Sequence, residues 1–231
     1  MLNRQEDATP LDLVLVVDTT GSMDTYITEL RRQLLDLVSE LRQISDVRCG
    51  VVAFKDHDAS YTTRVLPPTR SLAELVAFLT SAELELGLGG GGAEAVECAL
   101  REVANHAWRP GARRVAVLIG DKPPHGAGLD GFDACPCGVD YRDELERLAD
   151  QEVCLYTLRV GRCLEAQRVF EYFSVRTGGV FLDRCHVRDL TSSIASVCHR
   201  EAGDLPDYRR RLERQGRLTN TRRAMLLALA A

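Results

Sequence analysis

The run Leu11–Val17 is almost unbroken, apolar and rich in Val, and it ends on Asp18. A strand this short has no polar face to offer water, so it must be covered on both sides, as a central strand of a parallel sheet is. The rest of the chain repeats the theme. Ile27, Leu30, Leu34, Leu37, Leu41 and Ile44 alternate spacings of three and four, which lines one face of a helix. Val47–Phe54 reads as a second strand. Tyr61–Leu66 reads as a third, closed by Pro67-Pro68, and the short gap before it predicts an antiparallel edge strand. Ser71 caps a helix carrying Leu72, Leu75, Val76 and Leu79. Further helices are expected around Val96–Val103, Tyr141–Ala149, Glu165–Thr177 and Val187–His199, between strands Val115–Ile119, Val153–Val160 and Val180–Leu182. Strands alternating with helices predict an α/β fold: a doubly wound, mostly parallel sheet with one antiparallel edge strand and helices on both faces.

Composition narrows the class. Of 231 residues, 45% are hydrophobic and 27% charged, the balance of an ordinary folded domain. No apolar run reaches the roughly 20 residues of a membrane span. Met1–Pro10 is polar with two acids and is not read as a signal peptide, so a cytoplasmic location is expected. The net charge of −5 argues against a generic nucleic-acid binder. That charge is uneven: residues 200–231 hold eight arginines against four acids, so a basic tail follows an acidic body. The organisation expected is an extension over 1–9, a domain over 10–203 and a helical basic tail over 204–231. The tail's Met225, Leu226, Leu227 and Leu229 are expected to dock on protein, either on the domain or in a partner's groove.

Binding sites of doubly wound sheets lie at the carboxyl ends of the strands. Asp18, Thr20 and Ser22 follow the first strand, Asp56, His57 and Asp58 the second, and Asp121 the strand ending at Ile119. Oxygen-only donors with few carboxylates suit a hard cation such as Mg²⁺ or Mn²⁺. The simpler reading, in which Asp18 caps the next helix, accounts for one or two of these residues but not for Asp121 opposite them.

The motif Asp18-Thr19-Thr20-Gly21-Ser22-Met23, with Gly120-Asp121, resembles the metal-ion-dependent adhesion site (MIDAS) of von Willebrand factor type A (vWA) domains. The resemblance spans about residues 10–203. Through Phe54–Asp58 and Ile119–Gly126 it is closer to intracellular bacterial members, and to the type A domain attached to some α-kinases, than to integrins. It implies that Asp18, Thr20 and Ser22 hold Mg²⁺ directly and that Asp121 does so directly or through water. It further implies a non-enzymatic module that binds a partner's Glu or Asp, within a multi-protein assembly or beside a MoxR-type AAA+ ATPase. The second metal loop departs from the pattern: Gly89-Gly90-Gly91-Gly92-Ala93-Glu94 lacks the usual Thr or Asp oxygen, leaving water or Glu94 to compensate. Two alternatives follow. One is a scaffold whose metal site is vestigial. The other is a haloacid-dehalogenase-type phosphotransferase with Asp18 as nucleophile, which Thr20 disfavours by standing where a second Asp acts as general acid.

Other features carry weaker signals. Gly87–Gly92 satisfies Gly-x-Gly-x-x-Gly, but no strand precedes it and no P-loop Lys follows; a loop closing over the metal is expected instead. Asp56, His57 and Asp58 can shape the rim or simply form a turn. Cys49, Cys98 and Cys154 sit in apolar patterns and read as core. Cys135-Pro136-Cys137 is the best thiol candidate, for zinc with His125 and either Cys163 or Cys185, or for a redox pair.

Overall fold

The structure, a computed structural model, describes residues 9–44, 46–81, 84, 92–127, 134–183 and 186–230. Among these, six strands form one sheet: β1 (Leu11–Asp18), β2 (Val47–Phe54), β3 (Thr63–Thr69), β4 (Arg113–Gly120), β5 (Val153–Arg159) and β6 (Phe181–Leu182). Their order is β3-β2-β1-β4-β5-β6, all parallel except β3, which pairs antiparallel at the edge. The fold is therefore the expected α/β, mostly parallel sheet with one antiparallel edge.

All eight residues of β1 are buried. Leu11, Leu13, Leu15 and Val17 face a layer formed by α1 (Asp24–Arg32), α2 (Leu34–Leu41), α3 (Leu72–Thr80) and α7 (Leu190–Glu201). Val14 and Val16 face the opposite layer of α4 (Val96–Ala104), α5 (Tyr141–Asp150) and α6 (Leu164–Thr177), through Leu100, Leu145, Phe170 and Phe173. Each fully buried side chain of this size contributes about 1.5–3 kcal/mol, which is why a strand with no polar face is stable only here. After β1 the chain builds β2 and β3 on one side, then crosses to β4 on the other. The carboxyl ends of β1 and β4 thus flank the topological switch point, where ligands of such sheets bind.

Three details correct or extend the sequence reading. The helix expected across Ile27–Ile44 is divided at Gln33, whose amide donates to both Glu29 O (3.0 Å) and Leu30 O (3.1 Å). The tightened turn leaves the apolar stripe aligned, since Leu30, Leu34, Leu37 and Leu41 all remain buried. Strand β3 does not close at Pro67-Pro68 but runs through both prolines to Thr69, because an edge strand needs no outward N–H donors. It bulges opposite Gly50, where a Cβ would lie 2.9 Å from Leu66 O.

Residues of the basic tail form α8 (Leu205–Arg214) and α9 (Asn220–Ala230), which pack against α7. Tyr208, Leu212 and Leu226 bury against Ala195, and Leu229 joins the main core. Arg211 bonds Glu40, and Arg222 lies 3.5 Å from Asp189. Arg211, Arg217 and Arg222 thus meet acids of the body, whereas Arg209 and Arg210 pair with Glu213 and Asp207 of their own helix. Of the apolar residues expected to dock, Leu226 and Leu229 bury on the domain and Leu227 stays exposed. No helix among the described residues is long and apolar enough to cross a membrane.

Candidate metal centre

Strand β1 delivers Asp18 to the rim with only 1% of its surface exposed. Thr20 donates to Asp18 Oδ1 twice, from its backbone N–H (2.9 Å) and from Oγ1 (2.7 Å). Thr20 Oγ1 lies 3.3 Å from Ser22 Oγ, which in turn donates to Asp121 Oδ1 at 3.0 Å. Thr19, between them, turns the other way: its Oγ1 donates to Phe54 O and meets the Tyr61 hydroxyl at 2.7 Å. The alternation of β1 therefore sorts the motif, with Thr19 serving the β2 side and Asp18, Thr20 and Ser22 converging on Asp121 across 99 residues of chain.

The second loop is pulled to the same place. Glu94 N–H donates to Pro123 O at 3.0 Å, and Ala95 N–H to Lys55 O at 3.1 Å, tying the start of α4 to the segments after β4 and β2. Glu94 is fully buried, and neither carboxylate oxygen has a hydrogen-bond partner among the described residues. Desolvation, with the charges of Asp18, Asp56 and Asp121, pushes its pKa up to about 9. Burial likewise pushes Asp18 up to about 7, against the lowering effect of the Thr20 hydrogen bonds and with a further rise from Asp121. Buried carboxylates that hold their protons so tightly are short of positive charge. The donors are all oxygens, and an orphaned carboxylate stands beside them, so the residues present fit a hard divalent cation. Residues 87–91, where a glycine loop is expected to close over the metal, lie outside the described residues.

The remaining rim candidates divide. Asp56 accepts from His57 N–H at 2.7 Å and lies 3.3 Å from His125 Nε2. Asp58 is exposed in the turn and stands apart from this network. Glu97, which sequence reasoning missed, is fully buried on the first turn of α4. Its carboxylate meets His57 Nε2 and His125 Nδ1 at 3.1 Å each and accepts from His125 N–H at 3.1 Å. These bonds lower Glu97 overall against its burial and raise His125. An acid embedded in the apolar stretch Ala93–Leu100 was the available signal.

The thiol expectation needs correcting in its partners. Cys135 and Cys137 do meet an imidazole, but it is His57; His125 is engaged by Glu97 and Asp56. Cys98 is buried as expected, yet its Sγ lies 3.6 Å from Cys135 Sγ. Burial pushes both of those thiols up. Cys163 instead bonds Glu165, and Cys185 lies outside the described residues.

A doubly wound sheet with a carboxylate and hydroxyl crevice between β1 and β4 defines an α/β domain built to present a ligand site at its strand ends. Residues 13–124, a little under half of the chain, match the von Willebrand factor type A domain family, whose modules generally mediate protein interactions. Over 194 residues the chain is 33% identical to the α-protein kinase vwkA of Dictyostelium discoideum; this covers 80% of the chain but 31% of that kinase. Solved structures with a similar fold include a pilus adhesin, SpaC, of Lactobacillus rhamnosus GG (TM-score 0.63, 14% identity, 86% of this chain and 31% of that one). A von Willebrand factor type A protein of Catenulispora acidiphila is similar at TM-score 0.59 and 16% identity, over 84% of this chain and 43% of that one. An aerotolerance-related membrane protein of Bacteroides fragilis is similar at TM-score 0.58 and 16% identity, over 82% of this chain and 98% of that one. At these identities the structural likenesses establish the fold.

Proposed function

We propose that the chain is a metal-ion-dependent protein-interaction module of the MIDAS type, working in the cytoplasm without catalysis. Asp18, Thr20, Ser22 and Asp121 would hold Mg²⁺ or Mn²⁺. The ion would supply an open coordination position for a Glu or Asp of a partner protein. The observation that carries this reading is Glu94: a fully buried carboxylate with no hydrogen-bond partner among the described residues, in a loop that lacks the family's usual Thr or Asp oxygen. Its place beside Asp121 supports a role in completing the site's charge. Thr20 and Ser22 orient Asp18 and Asp121, and no second carboxylate stands at the Thr20 position to serve as general acid, which disfavours phosphoryl transfer. By resemblance to intracellular bacterial relatives, the partner is a MoxR-type AAA+ ATPase or a member of another multi-protein assembly.

Two measurements test the reading. Millimolar Mg²⁺ or Mn²⁺ should raise the melting temperature of the wild type and not that of Asp18→Ala, because a bound ion stabilises by mass action. Partners captured on the immobilised chain in Mg²⁺ should be released by EDTA and absent with Asp18→Ala. A partner set indifferent to both treatments refutes the metal bridge. No thermal shift would instead mark a scaffold with a vestigial site.

A further inference from the structure

Behind the oxygen rim lies a second cluster of quite different chemistry. His57 comes from the turn after β2, Cys98 from the first turn of α4, and Cys135 and Cys137 from the segment before α5. Their ligand atoms all lie within 4.8 Å of one another. Cys98 Sγ is 3.6 Å from Cys135 Sγ and 4.0 Å from His57 Nε2. Cys135 Sγ is 3.4 Å from His57 Nε2, and Cys137 Sγ is 3.7 Å from Nδ1. A tetrahedral zinc ion with Zn–S bonds of about 2.3 Å and Zn–N bonds of about 2.0 Å spaces its ligand atoms roughly 3.5–3.8 Å apart. The individual contacts are near that spacing, but Cys98 and Cys135 face Nε2 and Cys137 faces Nδ1, so one ring nitrogen must be brought to all three sulfurs as the ion enters.

We infer that His57, Cys98, Cys135 and Cys137 form a structural Zn²⁺ site that staples the segment preceding α5 to the turn after β2 and to the start of α4. Thiolates and imidazole select Zn²⁺ over the hard cations that suit the neighbouring oxygens, so the two sites take different metals. Four protein donors close the coordination shell, as structural rather than catalytic zinc requires. The Glu97 carboxylate supplies the outer support. It lies 3.1 Å from His57 Nε2 and so leaves Nδ1, the nitrogen beside Cys137, to take the metal, as carboxylates do behind zinc-bound histidines. Packing alone accounts for Cys98 and Cys135, which also touch Ala95 and Val139, but not for an imidazole set against three sulfurs. Cys-x-Cys by itself lacks the spacing of familiar zinc motifs. Here the fold brings the other two ligands from 37 and 78 residues before Cys135.

Through Glu97 and His125 the cluster reaches Asp56 on the oxygen rim, so the staple would fix that rim as well as its own segment. Its ion-binding energy would then appear as folding stability. This inference does not rest on the Mg²⁺ reading.

The full chain, purified in reducing, chelator-free buffer, should contain one zinc per molecule by elemental analysis. Replacing it with Co²⁺ should produce the sulfur-to-cobalt charge-transfer band and the intense visible bands of a tetrahedral thiolate site. Cys137 is exposed, so Cys137→Ser should fold, yet lose the charge-transfer intensity of one sulfur in three. Asp18→Asn should leave zinc content and spectrum unchanged. Wild-type protein without zinc and without a cobalt spectrum would overturn the inference. So would a Cys98–Cys135 disulfide found by peptide mapping, or a cobalt spectrum that Cys137→Ser leaves unaltered.

Discussion

Replacing Asp18 with Asn should stabilise the metal-free protein and abolish its response to Mg²⁺. Both Thr20 bonds fall on Oδ1, which an Asn side chain can present in the same way, and the hydrogen bond at risk is the one the carboxylate accepts from the Asp121 backbone. What changes is the charge. Asp18 has an ordinary value of 3.8 and is pushed up to about 7 in the folded chain, chiefly by burial. For a group raised on folding, stability is fully present below the unfolded value and is lost as pH rises through the folded one. In EDTA the wild type therefore weakens from about pH 4 upward, and the loss from this group is complete above about pH 7. At 1.36 kcal/mol per pH unit, the ionised side chain costs up to about 4 kcal/mol at pH 8. Urea unfolding at pH 8 in EDTA should show Asp18→Asn as the more stable protein by a substantial part of that figure, with the gap narrowing as pH falls toward 4. Mg²⁺ at 100 times its Kd should close most of that gap, since the bound ion adds about 2.7 kcal/mol to the wild type alone. Equal stabilities in EDTA at pH 8, or equal Mg²⁺ stabilisation of both proteins, would refute the reasoning.

At the opposite end of β1, buried Asp12 is pushed up by desolvation but lowered on balance by the Arg48 hydrogen bonds and by Arg109; it should contribute stability above pH 3.8 that is lost as pH falls through its lower folded value. Acid unfolding followed by circular dichroism should show Asp12→Asn weakened by about 3 kcal/mol at neutral pH and less sensitive to acid than the wild type. Gly179→Ala should lose about 3 kcal/mol or more, because a Cβ there would fall 2.1 Å from Leu155 O; a melting temperature within a degree or two of wild type would contradict that close approach.

Much of the architecture is local in origin and was open to reading. Unbroken Val-rich runs can only be covered on both faces, and the stripe of Ile27–Leu41 can only turn one side inward. The convergence of oxygen side chains was equally legible, because Asp18, Thr20 and Ser22 lie within five residues at the end of a strand. Where the reading failed, partners from distant segments decided. The passage of β3 through Pro67 and Pro68 depends on an edge with no neighbour to bond and on Gly50 making room for the bulge. The division at Gln33 is a matter of one tightened turn that costs the apolar stripe nothing.

The sequence by itself determined the class of fold and the oxygen-bearing residues of the rim, because alternation, strand length and short motifs act over a few residues. Only the tertiary structure decided that Glu94 is buried without a partner, that Glu97 joins two histidines, and that His57 and Cys98 rather than His125 face Cys135 and Cys137. It also decided that Arg211, Arg217 and Arg222 of the tail answer acids of the domain they pack on. The physical reason is common to all of them. Desolvation, charge pairing and ligand geometry depend on distances in space, and the crossover from β3 to β4 brings together side chains that no spacing along the chain relates.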